Sequence, residues 1–91
     1  MPRPKKPRFC SSLPNSFYFK PQGIPLRMLQ EVILNHDEFE AIKLAYIDDF
    51  DQIKAADKMK ISQPTFARIL KKANKKIAQA LIQGQAIKII Q

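Results

Sequence analysis

A chain of 91 residues, 45% of them hydrophobic, is one domain's worth and can bury a modest core. No apolar run reaches the roughly 18 residues of a membrane span, the charged N-terminus lacks the apolar core of a secretory signal, and the single cysteine, Cys10, has no internal disulfide partner, so the expected setting is the cytoplasm with no membrane partner. The net charge of +8 is sharply segregated: residues 1–27 hold six bases and no acid, residues 28–57 hold all eight acids with only Lys43 and Lys54, and residues 58–91 hold eight bases and no acid. Solubility alone does not require separated signs, whereas an oriented field favours a polyanionic partner.

In chain order, residues 1–8 carry three prolines and four bases, a composition that neither forms a helix nor builds a core, and read as an extended, mobile arm. Residues 9–34 read as an irregular packed segment. The run Phe17-Tyr18-Phe19 is apolar enough to be expected inside, between turns at Pro14-Asn15 and Pro21-Gln22-Gly23. Residues 26–34 fit a loose helix or, at Val32-Ile33-Leu34, a short strand.

From residue 35 the periodicity is helical. Asp37 with Glu40 resembles a capping box and predicts a helix with Phe39, Ile42, Ala45 and Tyr46 at helical spacing, ending at Asp48-Asp49. Asp51 is placed to cap a short second helix with Ile53, Ala56 and Met59 on its apolar side. After a break at Lys60-Ile61, Ser62 caps a long third helix, with Pro64 in its first turn, where a missing N–H costs nothing. Phe66, Ile69, Leu70, Ala73, Ile77, Ala80 and Leu81 share one face of it, and Arg68, Lys71, Lys72, Lys75 and Gln79 the other. Gly84 is the stop signal, and the β-branched tail 86–90 predicts a short strand pairing with Val32-Ile33-Leu34 or with a second chain.

The expected fold is therefore mainly α: a three-helix core with a helix-turn-helix over 51–83, an extended basic arm and a short C-terminal strand. A small residue, Ala56, sits where the two helices cross, and Ile61 plugs the turn. A helix fits the major groove, so the first turn of the helix at about 63–83 is the candidate base-reading surface, with Gln63, Thr65 and Arg68 as base contacts. Ser62, Lys71, Lys72, Lys75 and Lys76 are the candidate phosphate contacts. Arg3, Lys5, Lys6 and Arg8 are candidates for a minor-groove arm. Lys60 stands where such turns often place Gly, at a cost of roughly 1 kcal/mol.

Two resemblances follow from these residues. Residues 35–83 resemble region 4 of bacterial sigma factors, through Glu38-Phe39-Glu40-Ala41-Ile42-Lys43-Leu44, Asp48-Asp49, Ile53-Lys54-Ala55-Ala56, Ile61-Ser62-Gln63-Pro64-Thr65-Phe66 and Arg68-Ile69-Leu70-Lys71-Lys72-Ala73. Over its full length the chain is similar to a family of small uncharacterised prokaryotic proteins predicted to bind DNA, through Met1-Pro2-Arg3-Pro4, Phe19-Lys20-Pro21, Gly23-Ile24-Pro25 and Gly84-Gln85-Ala86. The resemblances imply a helix-turn-helix and DNA binding.

The expected function is sequence-specific binding of double-stranded DNA in transcription regulation, with a homodimer doubling the recognition surface through the tail 87–90 and the C-terminal half of the long helix. One alternative is an interaction module that contacts RNA polymerase or another basic partner through the acidic face from Glu38 to Asp51. Another is RNA binding, for which a basic arm would suffice; it would rely on aromatics, and those here are expected to be buried, which argues against it. Cys10 and His36 are the only Cys and His, too few for a metal site, and there is no phosphate-cradling loop, so neither an enzyme nor a cofactor is expected. The acids at helix starts suit the helix dipole.

Overall fold

The computed structural model describes residues 16–90; the predicted basic arm, the turn at Pro14-Asn15 and Cys10 lie outside the described residues. The protein is mostly helical with a small sheet: β1 (Ser16–Phe19), a 3-10 turn (Leu26–Met28), β2 (Glu31–Leu34), α1 (His36–Ile42), α2 (Gln52–Met59), α3 (Gln63–Gln83) and β3 (Ala86–Ile90).

The three strands form one sheet in the order β1-β3-β2. The tail pairs parallel with β2, as the sequence suggests, placing Val32 beside Ile87 and Leu34 beside Ile89. On its other side it pairs antiparallel with β1, placing Phe17 beside Ile89 and Phe19 beside Ile87. The segment 9–34, expected to be irregular, thus supplies two strands. Because β3 is central, its backbone has no free edge for strand pairing with a second chain, which removes the tail as a backbone-mediated dimer contact.

The aromatic run behaves otherwise than expected. Strand alternation sends Phe17 and Phe19 to one face and Tyr18 to the other. Only Phe17 is well covered, edge-on to Phe39 at 6.2 Å; Tyr18 and Phe19 are exposed. β1 is an edge strand, and Phe19 lies at the start of β3, where helix cover ends.

α1 starts two residues earlier than predicted. Asn35, not Asp37, is the N-cap, and Glu38 at the third helical position accepts the Asn35 backbone N–H at 2.9 Å. The helix widens into a π-turn over Lys43–Ile47 and ends before Asp49, whose φ of 56° is left-handed. The Asp51 carboxylate accepts the Lys54 N–H at 2.8 Å, capping α2 as expected.

Two apolar clusters hold the domain. In the first, buried Phe66 packs with Ala41, Leu44, Ala55 and Ala56, surrounded by Phe50, Met59, Ile61, Ile69 and Leu70. Ile61 thus fills the α2–α3 junction as predicted. Ile53 does not: it is 67% exposed. Ala55, Ala56 and Met59 form the inward side of α2, and Ile53 lies across the helix from Ala55, so two alanines bring α2 close to α3. The second cluster joins Leu34 and Ile89 of the sheet to Ala73, with Phe17, Phe39, Ile42, Ile77 and Ile87 around it.

Candidate nucleic-acid interface

The turn between α2 and α3 is set by Lys60, which adopts φ 60° and ψ 43°. The left-handed position expected of a glycine is occupied by lysine, and it lets the Ile61 N–H reach the Ala56 carbonyl at 3.1 Å. The chain then enters α3 at Ser62, whose Oγ accepts the Thr65 N–H at 3.3 Å. Gly84, with φ 68°, closes the helix.

The first turn of α3 gathers three of the predicted residues. Ser62 Oγ donates to Thr65 Oγ1 at 2.8 Å, and Arg68 Nη2 donates to the same oxygen at 3.1 Å. Ser62, Gln63 and Arg68 are exposed, and Thr65 is half-buried beneath them. Lys71, Lys72 and Lys75 are also exposed and follow Arg68 at helical spacing, so their cations line one side of α3. Among the described residues the ion pairs of lysine or arginine are Lys43–Asp48 and Lys76–Glu38, neither of which uses those four cations. The opposite face buries Phe66, Ala73 and Ala80 as predicted, except that Leu81 points outward.

Lys76 departs from the predicted set. Its Nζ donates to Glu38 Oε1 and to the Ile33 carbonyl, both at 2.7 Å, and its side chain is only 22% exposed. It ties α3 to the start of α1 and the end of β2 instead of facing outward. Glu38, read from sequence as part of an acidic face, is the buried partner of this pair. Other acids make local contacts at the surface: Asp48 pairs with Lys43 at 2.8 Å, Asp51 caps α2, and Asp37 accepts the Glu38 N–H at 2.8 Å.

Sequence reasoning missed one neighbour of the cationic side. Tyr46, expected in the core, is exposed, and its hydroxyl accepts from Asn74 Nδ2 on α3 at 2.9 Å. The helical spacing that suggested burial is broken by the π-turn, which has no clear signature in the residues. Arg3, Lys5, Lys6 and Arg8 lie outside the described residues. Among the described residues no helix is long and apolar enough to cross a membrane.

A mixed three-stranded sheet backing three helices, the longest of them cationic along half its outer side, defines a small α-rich domain organised around one amphipathic helix. The chain belongs to the family described as "Protein of unknown function DUF134", whose profile matches residues 1–91. It is similar to UPF0251 proteins of several bacteria. That of Caldanaerobacter subterraneus subsp. tengcongensis is 54% identical over 98% of this chain and 75% of its own length. The Thermoanaerobacter sp. protein is 49% identical over 98% and 79%, and the Vibrio vulnificus protein 44% identical over 96% and 87%. No solved structure matches the chain.

Proposed function

We propose that this protein binds double-stranded DNA with sequence preference, in transcription regulation, using the N-terminal half of α3 as a major-groove recognition helix and α2 as the supporting helix of a helix-turn-helix. The observation that carries the reading is the joint exposure of Ser62, Gln63 and Arg68 at the start of α3 and of Lys71, Lys72 and Lys75 behind them, on a stretch, 58–91, without a single acid. The major groove is about 12 Å wide and admits one helix end-first or at an angle. In that pose Arg68 donates twice to a guanine edge and Gln63 pairs with adenine, while the lysines neutralise phosphates and fix the register. The resemblance of residues 35–83 to sigma-factor region 4 supports the same placement.

The interaction-module reading loses Glu38, which is buried against Lys76, from its acidic face. The exposure of Tyr18, Phe19 and Tyr46 removes one argument against RNA, but the three do not share a surface: Tyr18 and Phe19 point to opposite sheet faces, and Tyr46 lies beyond α1. The test is selection of bound sequences from random duplex DNA at moderate salt, with single-stranded DNA and RNA in parallel. Enrichment of a short duplex motif is expected. No enrichment, or tighter retention of the single strands, contradicts the proposal.

A further inference from the structure

Arg68 differs from the other three cations on the outward side of α3. Among the described residues Lys71, Lys72 and Lys75 donate to no protein acceptor, whereas Arg68 is held: its Nη2 donates to Thr65 Oγ1 at 3.1 Å. Thr65 is itself fixed from the other side. Ser62, the N-cap, sends its one hydroxyl proton to Thr65 Oγ1 at 2.8 Å and accepts the Thr65 backbone N–H at 3.3 Å. Ser62, Thr65 and Arg68 stand three residues apart and form one ridge that climbs from the cap to the outward side. A hydroxyl oxygen has two lone pairs. Those of Thr65 are filled by Ser62 and Arg68, which leaves no acceptor on it for an amino group of adenine or cytosine.

We propose that Thr65 is a positioning residue for base recognition: its Oγ1 holds the Arg68 guanidinium in a pose ready to meet a base edge, in place of the direct base contact expected from the sequence. The inference rests on the DNA reading above and adds to it a determinant of specificity. The guanidinium carries five N–H donors in a planar fork. Thr65 takes one of them, on Nη2, and a bidentate approach to guanine O6 and N7 needs two, so the tether leaves the fork able to read. An untethered arginine loses rotamer freedom when it docks. One already held loses less, and the advantage appears only where the held pose matches the base. The lysines face a different task. Phosphates flank the groove continuously, and a mobile ammonium neutralises them as a point charge without a fixed direction. One held cation and three unheld ones therefore match a division between base reading and phosphate neutralisation.

The experiment compares the wild type with Thr65→Val, which keeps the β-branched shape and removes the acceptor, and with Thr65→Ser, which keeps the acceptor. Both retain the backbone N–H that Ser62 caps, and helical circular dichroism checks the fold; Thr65→Ala, a better helix former, replaces Thr65→Val should that variant lose helicity. In the free protein, nitrogen NMR relaxation at Arg68 Nε is expected to show faster motion in Thr65→Val and wild-type motion in Thr65→Ser. On a selected duplex, Thr65→Val is expected to lower the preference for the cognate base pair about threefold to tenfold, at the same position as Arg68→Ala and with no further loss in the double variant. Thr65→Ser is expected to restore it. Equal Arg68 Nε motion in the wild type and Thr65→Val overturns the inference. So does a Thr65→Val loss at a different base pair, which makes Thr65 a base contact. Undiminished preference in Thr65→Val, while Arg68→Ala loses its base pair, overturns this inference and leaves the DNA reading standing. An Arg68→Ala variant that prefers the same sequences as the wild type overturns both.

Discussion

The two apolar clusters along the buried face of α3, one toward each end, are built from different kinds of information. The front cluster, around Phe66, joins α1, α2 and the start of α3, elements whose beginnings and ends are written locally: Asp51 and Ser62 as caps, Lys60 as the left-handed stop, Pro64 in a first turn. The rear cluster, around Leu34, Ala73 and Ile89, exists only because strands some seventy residues apart meet across β3. Local signals therefore specify the half of the molecule that presents the cationic helix, and long-range pairing specifies the platform that holds it.

The largest test of this contrast is Phe66→Ala. Phe66 is fully buried at the junction of α1, α2 and α3, and its truncation is expected to cost about 3–5 kcal/mol, read by urea unfolding. Were the loss below about 1 kcal/mol, the front half would not depend on that junction.

Next in size is the link between the two halves. Glu38→Ala leaves the Lys76 ammonium against the Ile33 carbonyl without its counter-ion and is expected to cost about 2–3 kcal/mol, less than for a fully enclosed pair because Lys76 is partly exposed. A double-mutant cycle with Lys76→Met separates the pair from the packing of the lysine stem. Additivity in that cycle would show that the two residues do not act together.

Smaller effects sharpen the front half. Lys60→Gly relieves a left-handed side chain at φ 60° and is expected to stabilise by about 0.5–1 kcal/mol, since part of the relief is offset by the greater freedom of glycine when unfolded. A melting temperature that falls would deny that the turn is strained. Ile53→Lys is expected to change stability by no more than about 0.5 kcal/mol, because this isoleucine faces solvent. A core-sized loss there would restore the apolar face that sequence periodicity assigns to α2.

The same division explains what was readable. The three helices, the break at Asp48-Asp49, the Ser62 cap and the Gly84 stop follow from side chains acting within one turn. So does the cationic side of α3. β3 and its pairing with 32–34 were visible as β-branched runs, but β1 was not, because Phe17-Tyr18-Phe19 reads as greasy rather than alternating until its partner strand is known. The role of Lys76 was hidden for a related reason. Spacing places it near the lysine stripe, and only the approach of Glu38 and Ile33, 38 and 43 residues away, draws its ammonium inward. Ile53 misled through its size: helix crossing here is set by Ala55 and Ala56, and a larger side chain on that side would push α2 away.

The central claim, that the outward side of α3 meets duplex DNA, is tested most directly by the salt dependence of binding to a selected duplex for the wild type, Lys72→Ala and Arg68→Ala. Lys72→Ala is predicted to weaken all sequences alike and to lower the slope of log K against log salt by about 1, while Arg68→Ala costs about 1–3 kcal/mol of discrimination at one base pair. A slope that Lys72→Ala leaves unchanged, together with an Arg68→Ala loss shared equally by every sequence, would contradict it.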